Sequence, residues 1–203
     1  MDVLSVEQLR EFDLRVQLEY GLSERLLIEN AARSALEVIL AEDDSDRYVV
    51  FAGCGNNGAD GLALARHLHV RAKDVKVFIS GPQEKCNAEF KFQLNVLKKL
   101  IPDCFISDAD HIPADVPVID AVFGIGFRGR ITSQYARLFR TINKFSRIIS
   151  LDVPSGVPAD GGECDPAAVK ADITISFIAG KKAFVDPACK NYCGKVLIKD
   201  IGI

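Results

Sequence analysis

Residues 48–61 read YVVFAGCGNNGADG, an apolar run that ends in a turn with four glycines among nine residues. The β-branched and aromatic run predicts a buried strand. The glycines predict a tight turn at which the backbone can approach a ligand closely. The segment that follows, LALARHL, carries apolar residues at helical spacing. A strand, a glycine turn and a helix in this order point backbone N–H groups and the positive end of the helix dipole at a phosphate.

The turn also carries polar side chains that the usual dinucleotide fingerprint does not require. Asn56, Asn57 and Asp60 occupy positions at which that pattern accepts any residue. Two amides and a carboxylate in one turn can bind polar groups directly. A purely structural turn is the alternative, but loops at the ends of strands in α/β sheets commonly carry function, and we therefore expect a site here.

Length and composition predict one ordinary globular domain that spans residues 1–203. Apolar residues make up 48% of the 203-residue chain, which excludes disordered and fibrous classes. The formal net charge of −3 gives no electrostatic reason to expect nucleic-acid binding. The lysine pairs 98–99 and 181–182 are interpreted as solvated faces.

The sequence carries no sign of a membrane span or of a targeting segment. Its six cysteines include no CxxC pair, so a zinc site is not expected, and we interpret the cysteines as small core or surface residues. A soluble, reducing, cytoplasmic setting fits this cysteine usage best, with no membrane partner.

Strand patterns alternate with amphipathic helix patterns along the rest of the chain. Two helices precede the first strand, and Asn30 on the second is interpreted either as an amide that caps the backbone beside the core or as a site contact. This alternation predicts an α/β fold with a parallel sheet covered on both faces. Further strands are predicted at residues 75–79, 104–106, 116–123, 147–151, 173–177 and 195–198.

Three of the predicted strand ends carry unusual chemistry. These are the loop at 56–60, Asp120 with the glycine-rich segment 124–130, and Asp152 with Ser155. Parallel strands place all three at one edge of the sheet, which is where ligands bind in such folds. We therefore expect these segments to converge on one site.

Asp120 ends an otherwise apolar strand, where an unpaired charge would be costly. A bound cation, a neighbouring donor or a raised pKa must compensate for it. Asn57, Asp120 and Ser155 together offer only oxygen ligands, and one carboxylate among neutral oxygens suits a monovalent cation. In the structural alternative, Asp120 only accepts hydrogen bonds from the backbone of a loop.

Asp152 precedes the turn VPSG, in which proline fixes the backbone and glycine relaxes it. An acid held at a rigid turn beside a pocket is a candidate general base, although it could also serve only to form the turn. In the segment 124–130, the glycine amides with Arg128 and Arg130 are suited to phosphate, unless the two arginines are solvated surface charges.

These segments match the pattern of a known family. The motifs GxGNNGxDG at 53–61, DAVFGxG at 120–126 and DVPSG at 152–156 resemble the YjeF N-terminal domain, the NAD(P)H-hydrate epimerases. The segments ENA at 29–31 and DIGI at 200–203 also resemble it, so the similarity covers essentially the whole chain.

The resemblance implies a Rossmann-like three-layer αβα sandwich with a mostly parallel central sheet, usually a homodimer. It implies an isomerase that interconverts the R and S epimers of hydrated NADH and NADPH (NADHX and NADPHX) and supplies a separate dehydratase. It implies one K⁺ per subunit on Asn57, Asp120 and Ser155, and Asp152 as the acid/base group. The implied substrate contacts are Asn56, Asn57, Gly58, Ala59, Asp60, Gly124, Ile125, Gly126, Phe127, Arg128, Gly129, Arg130 and Asp152.

The sequence departs from the family pattern at two informative positions. Ala59 stands where a second glycine is usual, which could tighten the loop or exclude a positive φ. A lysine often found just after the second strand is absent, since residues 80–82 read SGP and Lys85 is the nearest candidate. If that lysine transfers protons in the family, its absence bears on activity here.

A non-catalytic scaffold is the alternative function, because relatives of this domain act in mRNA decapping or bind apolipoprotein. Retention of Asn57, Asp120, Asp152 and Ser155 favours the enzyme, since a scaffold has no need for a cation site beside an acid. A nucleotide hydrolase would require a Walker lysine or a nucleophile motif, and the chain has neither.

Overall fold

The computed structural model describes residues 2–203 and contains nine strands and six α-helices in that range. In chain order these are β1 Val3–Leu4, α1 Val6–Tyr20, α2 Glu24–Glu42, β2 Arg47–Ala52, α3 Asn56–Val70, β3 Asp74–Ile79, α4 Ala88–Leu100, β4 Phe105–Ile106, β5 Val118–Ala121, α5 Ser133–Ile142, β6 Ile148–Leu151, β7 Ile173–Phe177, β8 Gly180–Lys181, α6 Lys190–Cys193 and β9 Lys195–Lys199.

Seven of the strands form one sheet in the order β4-β3-β2-β5-β6-β7-β9, and every neighbouring pair is parallel. Alternate residues of β2 face opposite layers, as strand geometry requires. Val50 and Ala52 pack with α2, α3 and α4, whereas Val49 and Phe51 pack with α5. The chain is thus an αβα sandwich, and the predicted α/β, Rossmann-like fold class is confirmed.

The strand order reverses direction between β2 and β5. From β2 the chain proceeds outward to β3 and β4, then returns to β5 on the other side and continues through β6 and β7 to β9. The loops after β2 and β5 therefore separate at a switch point, which leaves a crevice at the carboxyl edge of the sheet. This edge carries all three of the polar segments singled out in the sequence.

Helix α3 lies close to the sheet because small residues line its first turns. A side chain at Gly58 would overlap the Gly53 carbonyl group, and a Cβ at Gly61 would lie 2.6 Å from the Cβ of Ala121. Ala59 is fully buried inside α3 and does not have a positive φ. The expectation that alanine at this position could tighten the loop or exclude a needed conformation is therefore not met, because the position is helical.

Two expectations outside the site, on Asn30 and on the cysteines, have clear outcomes. Asn30 caps the backbone beside the core, since its Nδ2 donates to the Ile201 carbonyl oxygen at 2.8 Å. The interpretation of all six cysteines as core or surface residues is wrong for Cys54 and Cys86, which form a disulfide because the loop after β2 lies against the segment after β3. Within residues 2–203, no helix is both long enough and apolar enough to cross a membrane.

Candidate functional site

A cleft of about 600 Å³ opens at the carboxyl edge of the sheet. Its walls come from the loops after β2, β5 and β6 and from helices α1 and α2. Of the residues expected to contact a substrate, those that line it are Asn56, Asn57, Asp60, Gly124, Ile125, Gly126, Phe127 and Asp152. The parallel sheet thus brings together the three strand ends, as the sequence predicted.

Five of the expected substrate contacts do not line this cleft. Gly58 and Ala59 lie on the buried side of α3, where they allow the helix to approach the sheet. Arg128, Gly129 and Arg130 are exposed to solvent beyond the cleft wall formed by residues 122–127. A role for these arginines requires a ligand that extends over the rim.

Asp152 is held in one orientation at the floor of the cleft. Its backbone has a φ of 66°, an uncommon conformation for a residue with a side chain. Its Oδ2 accepts a hydrogen bond from the Ile125 N–H at 2.8 Å. A Cβ at Gly124 would lie 2.5 Å from the same oxygen, so this close approach requires glycine.

Lys181 provides the charge partner of Asp152. Its Nζ lies 2.8 Å from Asp152 Oδ1, and the lysine is only 2% exposed. The same ammonium group donates to Ser176 Oγ at 2.6 Å and to the Phe177 carbonyl oxygen at 2.9 Å, so all three of its protons are used. A buried ion pair with this many hydrogen bonds fixes both side chains within the site.

Lys181 is not among the site residues expected from the sequence, and its interpretation as part of a solvated face is wrong. Lys182 next to it is exposed, as are Lys98 and Lys99. Lys181 lies on β8, which pairs with β1, and that pairing turns its side chain into the cleft. No signal in the sequence distinguishes Lys181 from the adjacent Lys182.

The position at which the family often has a lysine is filled differently. Ser80 is buried there, and its hydroxyl donates to the Ala52 carbonyl oxygen at 3.1 Å. Lys85, the candidate nearest in sequence, is exposed and does not line the cleft. The cationic group of this site is therefore supplied by Lys181. It follows β7, whereas Ser80 follows β3 toward the other end of the strand order.

Two further carboxyl groups line the cleft and are pushed toward their neutral forms. The pKa of Asp13 on α1 is raised to about 6 by burial and then by the negative charge of Asp152, while Lys181 opposes the shift. The pKa of Asp60 is raised well above its usual value by burial, with Asp152 and Asp13 adding to the effect. The cleft therefore holds groups that can donate a proton beside one that is paired with a cation.

Asp120 is fully buried and accepts four hydrogen bonds. Its donors are the Ser155 hydroxyl, the Ser150 hydroxyl and the backbone N–H groups of Ser155 and Val122, at 2.5 to 3.3 Å. Burial raises the pKa of Asp120, and these donors act in the opposite direction. The Ser155 hydroxyl also accepts from the Phe123 N–H at 2.8 Å, so this pair positions the loop that carries Gly124 and Ile125.

Asn57 differs from its neighbours because its side chain has no partner. The residue is 8% exposed, and both its Oδ1 and its Nδ2 are buried without a hydrogen bond. Buried amides are almost always hydrogen-bonded, so an unpartnered one facing a cleft indicates a ligand. Its oxygen and those of Asp120 and Ser155 are of the kind that binds hard cations. Asp120 and Ser155 themselves are fully buried and do not line the cleft. The described residues include no cluster of three or more His, Cys, Asp or Glu side chains that could hold a metal.

The amino end of α3 remains open toward the cleft. Its N-cap is Gly55, which has no side chain to cap the first turn. Asn56 is fixed from two sides, since it donates to Glu24 and accepts from Asn87, each at 2.5 Å. Free N–H groups at the start of a 15-residue helix form a site suited to an anion.

Fold and site together define a Rossmann-like domain with a buried acid–lysine pair in the cleft at the carboxyl edge of its sheet. Residues 24–183 match the family model described as YjeF-related protein N-terminus. The chain belongs to this family, which confirms the resemblance seen in the sequence motifs.

Curated relatives extend the match over the whole chain. An NAD(P)H-hydrate epimerase of Levilactobacillus brevis is 32% identical over 203 residues, which cover 98% of this chain and 94% of the relative. A bifunctional NAD(P)H-hydrate repair enzyme Nnr of Archaeoglobus fulgidus is 34% identical, and the match covers all of this chain but 42% of that protein. The crystal structure of yeast ynu0 (YNL200c) shares the fold, with a TM-score of 0.81, 21% identity and coverage of 98% of this chain and 88% of that one.

The raised pKa of Asp13 predicts a pH-dependent cost to folding. Because its pKa is about 6 in the folded protein and 3.8 as the ordinary value, the folded state binds more protons between these pH values, and stability falls as pH rises through them. Asp13→Asn removes this cost. We expect it to raise the free energy of unfolding at pH 8 by about 1–2 kcal/mol, after allowance for partial solvent exposure, and by little at pH 4.

Urea unfolding of Asp13→Asn and wild type at a series of pH values from 4 to 8 checks this expectation. Glu11→Gln removes a charge from an exposed position of the same helix and controls for general charge effects. If the difference in free energy of unfolding between Asp13→Asn and wild type stays constant from pH 4 to pH 8, the pKa of Asp13 is not raised in the folded protein.

Proposed function

We propose that this protein is an NAD(P)H-hydrate epimerase, an isomerase that interconverts the R and S epimers of NADHX and NADPHX. The buried pair of Asp152 and Lys181 in the cleft carries this proposal, because a carboxylate and an ammonium group held together are an acid/base device. The names of the full-length relatives support the same activity. A binding scaffold has no use for such a pair, which is costly to bury.

The chemistry of the substrate explains why acid and base groups suffice. The hydrated ring carbon carries a hydroxyl group next to the ring nitrogen. Protonation of that hydroxyl lets it leave as water while the nitrogen lone pair stabilises the resulting cation. Water then adds to the opposite face and gives up a proton, so atoms and charge balance and no oxidant is needed.

The residues of the cleft match these two proton transfers. Lys181 holds Asp152 in place through the ion pair, so Asp152 is the base that accepts a proton from the incoming water. Asp13, with a pKa of about 6, is the neighbouring carboxyl group able to donate a proton near neutral pH. The Ile125 N–H holds the second oxygen of Asp152 and so limits the direction from which it acts.

The open end of α3 is suited to the pyrophosphate of the substrate. Gly55 leaves the first N–H groups of the helix free, and the helix dipole favours an anion there. Arg128 and Arg130 on the rim can reach phosphate oxygens of a ligand that extends out of the cleft.

A potassium ion bound by Asn57, Asp120 and Ser155, one per subunit, is part of the proposal. The unpartnered Asn57 amide supports it, since its oxygen has no other use in the described structure. When bound, such an ion supplies positive charge next to the negatively charged substrate. Asp120 and Ser155 also hold the loop at 122–125, so the same residues link the ion to the position of Gly124.

The cellular context is proposed from the substrate and the relatives. The repair enzyme Nnr of Archaeoglobus fulgidus is named bifunctional, and this chain matches only 42% of it. We infer that epimerisation by this chain is coupled to a dehydratase, that the chain forms a homodimer and that it works in the cytoplasm, where nicotinamide cofactors are used.

The activity is tested with the isolated R epimer of NADHX. The purified protein should speed the approach to the R/S mixture, followed by chromatography, beyond the rate without protein. Asp152→Asn should lower this rate by about 10²- to 10⁴-fold, the usual range for loss of an acid/base group. Asp103→Asn, at an exposed acid away from the cleft, is the matched control. Unchanged turnover in Asp152→Asn would remove this residue from the mechanism.

The ion is tested through Asn57, whose side chain makes no hydrogen bond that folding would lose. Asn57→Ala should keep its thermal unfolding temperature but lose the response of the epimerisation rate to added KCl compared with tetramethylammonium chloride. Asn191→Ala, on an exposed stretch of α6, serves as control. If Asn57→Ala responds to potassium as wild type does, the ion binds elsewhere.

A further inference from the structure

A second cavity of about 340 Å³ lies beside the cleft, on the other side of the switch point. It opens at the carboxyl ends of β3 and β4, where residues 79–81 and 107–110 leave the sheet, and α5 closes it from above. None of the residues matched to the family's nucleotide contacts lines it. Its size falls within the range of small-molecule sites.

The lining of this second cavity is suited to a flat ring that carries hydroxyl groups. Phe78, Tyr135 and Leu138 form its apolar walls, and Phe78 is supported from behind by Phe51 at a centroid distance of 5.6 Å. Ser107 and Asp108 add hydrogen-bonding groups at the opening. Aromatic faces stack with any nucleobase, and carboxylate and hydroxyl oxygens accept hydrogen bonds from sugar hydroxyls.

The two cavities adjoin at one shared residue. Tyr135 lines both, and its hydroxyl would lie 3.6 Å from a Cβ at Gly81, which belongs to the second cavity. Cys54, which lines the cleft, would lie 3.7 Å from that same Cβ. A ligand can therefore pass from one cavity to the other over Gly81, next to the open end of α3.

The order of the strands places the two halves of a dinucleotide on different sides of the switch point. Asp152 and Lys181 lie on the β6–β7 side, so the reactive nicotinamide ring must lie there. The helix α3 at the switch point is suited to the pyrophosphate. Dinucleotides cross such sheets at the switch point, which leaves the remaining nucleoside on the β3–β4 side.

We propose that this second cavity binds the adenosine half of the substrate, with the adenine ring between Phe78 and Tyr135. This inference rests on the proposed function, which it extends by naming the place of the distal nucleoside. The cavity supplies binding energy to the complete dinucleotide and none to a substrate that ends at the first phosphate.

The test fills the cavity and compares two substrates. Ser107→Trp adds a large side chain from an exposed position, and Thr141→Trp does so independently from α5. Both should lower kcat/KM for NADHX about tenfold, the effect of losing one stacked base, and leave kcat/KM for hydrated NMNH, which lacks adenosine, unchanged. Ser146→Trp, exposed at the opposite edge of the sheet before β6, is the control.

Direct binding separates this inference from the proposed function. Adenosine monophosphate should bind wild type in calorimetry and compete with NADHX, and both effects should be lost in Ser107→Trp but kept in Ser146→Trp. Equal AMP binding by the two variants, or an equal loss of activity on NADHX and hydrated NMNH, would overturn the adenosine site. If wild type epimerises neither substrate, the proposed activity fails, and AMP calorimetry on the same variants still decides the site.

Discussion

The ion pair between Lys181 and Asp152 is the interaction on which the site depends. Burying either charge alone would cost several kcal/mol, so each requires the other and the hydrogen bonds around them. The lysine is 2% exposed and makes two further hydrogen bonds to the end of β7, while Asp152 accepts from the Ile125 N–H. One pair thus ties the β6 loop, the β5 loop and β8 together at the edge where the substrate must react.

The sheet explains how residues far apart in the chain reach this pair. All neighbouring strands of the seven-stranded sheet are parallel, so every loop after a strand emerges at the same edge. Small residues then decide how close the loops come. Gly61 lets α3 contact Ala121 on β5, and Gly124 leaves room for the carboxylate of Asp152.

The sequence predicted those parts of the fold and site that local patterns encode. Apolar runs predicted the strands, and the strand expected at 75–79 is observed as Asp74–Ile79. The alternation of strands with helices predicted the parallel topology. The expected strand at 116–123 is shorter, Val118–Ala121, because it follows Pro117 and ends where the chain bends at Val122. Asp152 and Asn57 were found because polar residues at strand ends are visible in sequence.

The parts that could not be predicted depend on packing between distant segments. Lys181 is indistinguishable in sequence from the exposed Lys182, and only the pairing of β8 with β1 turns it inward. Cys54 and Cys86 are 32 residues apart, and the contact between them exists because β2 and β3 are neighbours. The second cavity has no motif at all, since its walls come from β3, the segment after β4 and α5, each of which looks like ordinary core or loop.

In the proposed mechanism Asp152 and Lys181 act as one acid/base unit, and a double-mutant cycle measures the coupling between them directly. Rates of NADHX epimerisation would be compared for wild type, Asp152→Asn, Lys181→Met and the double variant, each checked for folding by thermal unfolding. If the residues act as a unit, each single variant should lose about 10²-fold or more and the double variant no more than the worse single one. Losses that multiply, or a wild-type rate in Lys181→Met, would contradict the claim.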